Sequence, residues 1–304
     1  MRRRTPLRSV AVVALLRTSR AASSSSFCAS GDGPLTLLSK ERQAPDSWVL
    51  RFALPPSRQF LGDDPSLPTC IKVGFNGTDE AGKSKLLEKS YSPVSHPARE
   101  NELELLVKAY PPRPGGGVGA YICSLQVGDT MEATLKSKRI MHGSASVLGR
   151  WKHLGLLGGG TGIAPLIQIA RLVLEAPGEA TKVHVLSVHR REEDILMRDA
   201  WDELVAAHPT RLVVHHTLTA PPAGWRGLTG RGTVEMARAA LPPPKGDGST
   251  MVLVCGTDGF VSTWGGPVGR APKKADGSKG AKIQGPLTGL LADVGFAESE
   301  VFKY

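Results

Sequence analysis

The sequence predicts two domains, a small antiparallel β-barrel followed by an α/β domain built on a parallel sheet. Three observations predict this. The first half consists of short runs with period-two alternation, separated by turn residues. In the second half, strand-like runs alternate with helical patterns. Where the rhythm changes, a short apolar run meets a glycine cluster and a helical pattern begins at once, in Leu154-Gly155-Leu156-Leu157-Gly158-Gly159-Gly160-Thr161-Gly162-Ile163-Ala164-Pro165. The division that follows is a leader at 1–30, the barrel at 31–150 and the α/β domain at 151–304.

The leader carries Arg2, Arg3, Arg4, Arg8, Arg17 and Arg20, and the first acidic residue is Asp32. With the serine cluster Ser23–Ser26, this is the composition of a mitochondrial transit peptide, and a mitochondrial location is expected. A weak secretory signal or a disordered tail are the alternatives. The apolar run Val10–Leu16 is too short to span a bilayer. The whole chain of 304 residues has a net charge of +10. With the six leader arginines removed, 32 basic residues face 28 acidic ones, a net of +4. That balance, with 5% aromatic residues, is not a nucleic-acid platform. Cys28, Cys70, Cys123 and Cys255 show no C-x-x-C pair and no iron–sulfur spacing, so they read as buried thiols and no metal site is expected.

In chain order, Trp48, Leu50, Phe52 and Leu54 alternate along a strand that Pro55-Pro56 ends. Residues 58–86 are rich in turn formers, with a short strand near Cys70–Val73. Lys89-Ser90-Tyr91-Ser92-Pro93 follows. From Asn101 to Tyr110, Leu103, Leu105, Val107 and Ala109 share one face and Leu106, Lys108 and Tyr110 the other. Pro111–Gly117 is a loop, a brief helix runs through Tyr121, Ile122 and Leu125, and Met131–Leu135 is another strand. In the second half, strands are expected at Leu154–Leu157, Val183–Val188, Leu212–Leu218 and Met251–Cys255. Helices are expected near Ile163–Glu175, Glu193–Ala207 and Gly232–Ala240, and a surface loop at Gly265–Gly280.

Glycines at a strand-to-helix turn let the backbone approach a pyrophosphate, and the helix N-terminus beyond favours the anion. Pro165, where the common dinucleotide fingerprint has its third glycine, is tolerated in a first helical turn because its missing amide would be unpaired there. Taken in order, Lys89-Ser90-Tyr91-Ser92, Lys108-Ala109-Tyr110 and Gly115–Tyr121 resemble the flavin-binding pattern of the ferredoxin–NADP reductase superfamily. The Gly159–Pro165 turn, Cys255-Gly256 and the terminal Val301-Phe302-Lys303-Tyr304 resemble its NADH-cytochrome b5 reductase branch. The resemblance covers about residues 34–304. It implies a six-stranded FAD-binding barrel followed by an NAD(P)H-binding α/β domain.

By that resemblance, Tyr91 packs on the flavin and Ser92 hydrogen-bonds near its reactive nitrogen. Lys89 stands for the arginine that pairs the FAD pyrophosphate, keeping the charge without the bidentate fork. Leu106, Lys108 and Tyr110 match a strand lining the cofactor. Gly116, Gly117, Val118 and Gly119 replace a Gly-Lys-Met-Ser stretch whose backbone amides hold the pyrophosphate. Lys136-Ser137-Lys138-Arg139 stands where a Gly-Pro-x-Gly turn is usual, and reads as a solvated charged turn. Gly160, Thr161 and Gly162 match the turn between the two nucleotides, with Thr161 touching FAD. Cys255 and Gly256 match a Cys-Gly-Pro-Pro-Pro-Met motif beside the nicotinamide, although Thr257–Phe260 replace its prolines. Asp194 matches an acid that favours NADH over NADPH, while Arg190 and Arg191 pull toward NADPH.

The implied activity takes a hydride from NADH onto FAD and passes single electrons to a separate acceptor, with Ser92 and Cys255 closest to the reaction. Cytochrome b5, or another one-electron acceptor protein, is the expected partner. The chain is expected to be monomeric, with peripheral membrane association left open. Two alternatives remain at this point. One is an NADPH-using reductase for another haem protein or a quinone. The other is a low-turnover flavoprotein that assists haem-protein assembly.

Overall fold

The computed structural model describes residues 33–78, 82–111, 114–135, 146–273 and 280–304. The expected leader, with Cys28, and the Lys136–Arg139 turn lie outside the described residues.

The N-terminal half contains β1 (Leu35–Ala44), β2 (Ser47–Ala53), β3 (Ile71–Thr78), β4 (Ser84–Tyr91), β5 (Glu102–Lys108), α1 (Val118–Ser124), β6 (Thr130–Met131) and β7 (Ala133–Leu135). Among the described residues these form two antiparallel sheets, ordered β5-β2-β1-β6 and β4-β3-β7. The strand expected at Met131–Leu135 is broken at Glu132, and each piece joins a different sheet. Met131 pairs with Leu35, and Ala133 pairs with Val73. One short segment thus turns the corner between the sheets, so the expected barrel is a half-barrel. Leu37, Leu50, Phe52, Ile71, Leu105 and Ile122 fill it. β4 begins inside a stretch that reads as turn-rich. Its residues are mostly exposed, Leu86 among them, so no apolar alternation marked it.

The second half contains β8 (His153–Gly159), α2 (Ile163–Glu175), β9 (Lys182–His189), α3 (Arg198–Ala207), β10 (Leu212–Leu218), β11 (Leu228–Thr229), α4 (Val234–Ala240), β12 (Thr250–Cys255), α5 (Asp258–Gly265), β13 (Gly269–Arg270), β14 (Lys282–Ile283), α6 (Leu290–Val294) and β15 (Val301–Lys303). β13 and β14 pair with each other. The other strands form a parallel sheet in the order β11-β10-β9-β8-β12-β15. α2 and α3 share a core with one face through Leu154, Leu156 and Trp201, and α4, α5 and α6 with the other through Leu157, Val254 and Trp264. Strands covered on both faces read as near-continuous apolar runs, as these do.

α2 is buried on nearly every side, from Ile163 to Leu174 with Arg171 the exception. The sheet takes one face. The half-barrel contributes Ala44, Val94 and Leu106 to the same apolar cluster. Each fully buried leucine or isoleucine contributes about 1.5–3 kcal/mol, so this seam is a substantial part of the molecule's core.

Two helices depart from expectation. α3 starts at Arg198 because Met197 adopts a left-handed conformation (φ 58°) after a separate 3-10 turn at Glu192–Asp194. α5 is a helix where none was expected, and it meets the expected loop only at Gly265. Thr257 caps it by accepting from the Phe260 amide at 3.3 Å, and Val261 and Trp264 bury its inner face.

Candidate functional site

The order of the parallel sheet reverses between β8, which leads to β9 and β10 on one side, and β12, which leads to β15 on the other. Ligands of open α/β sheets bind at the carboxyl ends of the strands at such a switch point. Here those ends are the Gly158–Gly162 turn and Cys255-Gly256, and Cys255 pairs directly with Gly158. Backbone lies against backbone: a Cβ on Gly162 would fall 2.2 Å from the Cys255 carbonyl oxygen. The Phe260 ring fills the space between the two turns, 2.8 Å from where a Cβ of Gly159 would sit and 2.5 Å from that of Gly256. Gly160, Thr161, Gly162, Cys255 and Gly256, expected to act together, are therefore brought together. Phe260 is not among the expected site residues, and its packing against both glycine turns has no marker in the sequence. Cys255 and Cys123 are half-buried thiols where full burial was expected, while Cys70 is buried.

On the half-barrel, β3 holds the end of β4 in register, pairing Ile71 with Tyr91, Lys72 with Ser90 and Val73 with Lys89. Ser92 follows, half-buried. The Tyr91 phenol is buried and its Oη has no hydrogen-bond partner among the described residues. Burial, with Cys123 and Tyr110 nearby, pushes its pKa up, so it remains a neutral phenol. Lys89 Nζ lies 5.7 Å from the Tyr91 ring centre and 5.3 Å from that of Tyr110, and Lys108 Nζ lies 5.9 Å from Tyr110. These are cation–π separations. Lys108 also pairs with Asp46 Oδ2 at 2.7 Å. Burial works to raise the Asp46 carboxyl, but hydrogen bonds from Lys108 and Ser47 hold it below its ordinary value.

The Gly116–Gly119 segment runs beside this cluster. A Cβ on Gly119 would come within 2.9 Å of the Lys108 carbonyl oxygen and 3.5 Å of Tyr91 Oη, so this position has no room for a side chain. Gly116 sits over Phe75, which stacks on Tyr121 with ring centres 5.0 Å apart. Val118 turns its side chain into the half-barrel core and offers the site only its backbone. Leu106 likewise departs from Lys108 and Tyr110. It is buried at the seam between the two halves, in one cluster with Ile163 and Ala164. β5 nonetheless runs against the Gly160–Gly162 turn, so the two halves of the crevice adjoin.

Beyond β9, the turn Glu192–Asp194 consumes its own charges. Asp194 Oδ2 accepts from the Arg191 amide at 3.0 Å, Glu193 pairs with Arg191 at 3.3 Å and Glu192 with Arg198 at 3.0 Å. An open groove of about 510 Å³ is lined by Arg191, Glu192, Glu193, Ala220 and Pro222. Asp194 sits in this turn but not on the groove wall, which its two acidic neighbours provide. Underneath, His189 Nε2 lies 2.6 Å from Ser187 Oγ. Burial, reinforced by His216, lowers the His189 pKa to about 4, so the ring is neutral.

The chain is similar to proteins that combine the same two units. The family model described as "Oxidoreductase FAD-binding domain" matches residues 34–136, and "Oxidoreductase NAD-binding domain" matches residues 156–264. An NADH-cytochrome b5 reductase 1 of Lodderomyces elongisporus is 34% identical over 254 residues, covering 84% of this chain and 77% of the relative. An NADH-cytochrome b5 reductase-like protein of Arabidopsis thaliana is 31% identical over 264 residues, covering 86% and 74%. Among solved structures, the cytochrome b5 reductase domain of Ulva prolifera nitrate reductase superposes with a TM-score of 0.68 at 22% identity, covering 90% of this chain and 97% of that one.

Proposed function

The chain belongs to the NADH-cytochrome b5 reductase family, and on that premise we propose how its residues carry electrons from NADH through FAD to a one-electron acceptor such as cytochrome b5. One observation carries the assignment of residues. A buried phenol without a hydrogen-bond partner among the described residues, set among lysines, adjoins a glycine-lined crevice at the sheet's switch point.

The residues present suit FAD. The Tyr91 Oη is a buried polar atom with no partner among the described residues, which a ligand hydroxyl or phosphate oxygen would satisfy. Gly116 and Gly119 pack too closely on Phe75, Lys108 and Tyr91 to carry side chains, so this segment would meet a pyrophosphate through its amides, with positive charge supplied by Lys89 beside Tyr91. When bound, FAD accepts a hydride from the nicotinamide and releases electrons one at a time. The protein's work is then to hold, orient and exclude. Tyr91 and Ser92 hold the ring system at the end of β4, and Lys108 and Tyr110 border it. The Gly160-Thr161-Gly162 turn and Gly256 would meet NADH through backbone, with the Phe260 ring packed against the two glycine turns from the protein side. Cys255, ending β12, sets the approach of the nicotinamide. Glu192 and Glu193 on the groove wall, with Asp194 in the same turn, offer carboxylate acceptors for ribose hydroxyls, which supports NADH as donor over NADPH.

Import into mitochondria by residues 1–30 is part of the proposal, and the acid-free, arginine- and serine-rich composition supports it. The deciding experiment mixes the FAD-loaded protein from residue 31 onward with NADH, anaerobically, and then adds oxidised cytochrome b5. Rapid bleaching of the flavin followed by haem reduction is expected. A yellow protein that neither NADH nor NADPH bleaches would overturn the reading in favour of an accessory role.

A further inference from the structure

We propose that Gln168 is a positioning residue for electron transfer, an amide clamp that fixes how the two halves of the crevice face each other. The proposal rests on the reading above. Gln168 lies on α2 and is 1% exposed. Both ends of its amide are satisfied by one residue of the half-barrel. Thr69 N–H donates to Gln168 Oε1 at 2.8 Å, and Gln168 Nε2 donates to Thr69 Oγ1 at 3.2 Å.

The clamp sits where a change of angle would matter. Gln168 is six residues beyond Gly162, about 9 Å along a helix rising 1.5 Å per residue. Thr69 is two residues before Ile71, about 7 Å along an extended chain. Ile71 is the residue that pairs with Tyr91. One pair of hydrogen bonds therefore ties the strand register that sets Tyr91 to the helix that carries the Gly160–Gly162 turn. Apart from a looser contact at 4.0 Å between His96 Nε2 and Glu175 Oε2 at the far end of α2, the seam is largely apolar, with Ala44, Val94 and Leu106 from the half-barrel against Ile163 and Ala164. Apolar contact is non-directional and permits sliding. A two-point amide contact fixes both position and rotation, and it is costly to break because each buried group left unpaired keeps its full desolvation penalty.

The prediction follows from the steep dependence of reaction rate on approach geometry, where a misplacement of about 1 Å costs about 100-fold. Gln168→Leu keeps the volume and removes both hydrogen bonds. Gln168→Glu keeps them as the neutral acid that burial favours, its carbonyl oxygen accepting from Thr69 N–H and its hydroxyl donating to Thr69 Oγ1. The experiment measures, for each FAD-loaded protein, flavin content, the apparent dissociation constant for NADH and the limiting rate of flavin bleaching. For Gln168→Leu we expect full flavin content and a dissociation constant within about threefold of the parent, with a limiting rate lowered about 10- to 100-fold. Gln168→Glu should stay within about threefold of the parent rate.

A parent-like limiting rate in Gln168→Leu overturns the proposal. So does a rate loss that only tracks lost flavin, which would make the clamp ordinary structural glue. Should Gln168→Leu fail to fold, Thr69→Val decides. That variant keeps the amide donor and loses the hydroxyl, so a several-fold lower limiting rate is expected and an unchanged one overturns the clamp. If NADH fails to bleach the parent protein itself, it is the proposed function that fails.

Discussion

The proposed FAD side of the site is built from side chains, the Lys89, Tyr91, Lys108 and Tyr110 cluster, whereas the proposed nicotinamide side is mostly backbone, Gly158–Gly162 against Cys255-Gly256 with the Phe260 ring packed on both turns. The two materials fail differently. A side-chain wall can lose one member and keep the others. A backbone wall has no members to lose, but it cannot take on atoms. The glycine side is therefore the half where one substitution should do most damage, and the tyrosine side the half where damage is graded.

The largest effect is expected from Gly162→Val. Its Cβ would meet the Cys255 carbonyl oxygen at 2.2 Å, so backbone must move. The fold should lose about 3 kcal/mol. NADH-driven bleaching should fall at least about 100-fold while most of the FAD stays on the half-barrel. Stopped-flow absorbance and a thermal melt on the same sample check both. If FAD is lost in parallel, the two halves are not separable.

Tyr91 comes next. Tyr91→Ala should weaken FAD about 100-fold, read by titrating the apoprotein, because it removes both the ring and the phenol. Tyr91→Phe separates the two. It deletes a buried hydroxyl that has no partner among the described residues, so apoprotein stability should hold or rise by up to about 1 kcal/mol while FAD binds about 10-fold more weakly. A drop in apoprotein stability would mean that the hydroxyl is already satisfied without the cofactor. Smaller again is Cys255→Ser, a change of one atom at the lip of β12. Flavin content should be unchanged and bleaching by NADH about 10-fold slower. An unchanged rate would remove Cys255 from the nicotinamide's vicinity.

How much of this was legible in the sequence divides along the same line. The glycine turn, α2 from Ile163 to Glu175 and the four longer parallel strands β8, β9, β10 and β12 were readable, because a doubly covered sheet demands continuous apolar runs and a close backbone approach demands glycine. The short edge strands β11 and β15 were not. The half-barrel was readable only where one face is buried. β5 showed its alternation, but Leu106 proved to serve the seam between the domains, since periodicity tells which residues share a face and not what that face meets. β4 carried too little apolar pattern to be seen before Lys89, and α5 was hidden by Gly259 and by the glycines that follow it. The Gln168 clamp could not be read at all. Its partner is 99 residues away, and nothing in a buried glutamine advertises one.

The smallest effect expected concerns pH, and it distinguishes the two halves again. His189 and His216 lie in the parallel-sheet domain, and both have pKa values lowered to about 4. Burial is the main cause for each, with His216 next for His189 and Arg198 next for His216, against a pull from Asp202. In the unfolded chain a histidine titrates near 6.5, so between about pH 6.5 and 4 the unfolded state binds protons that the native state does not. Stability is complete above that window and is lost as pH falls through it. Going from pH 7 to pH 6, the pair should cost about 1 kcal/mol, a lowering of the melting temperature by roughly 2–4 °C. Because both histidines belong to the NADH-binding half, further acidification should abolish bleaching by NADH before the half-barrel releases its flavin. Flavin fluorescence, quenched while FAD is held, and the bleaching rate followed together between pH 7 and 5 test the order. Release of flavin first would place the acid-labile contacts on the side-chain wall instead, and the backbone-lined half would then be the sturdier of the two in acid as well.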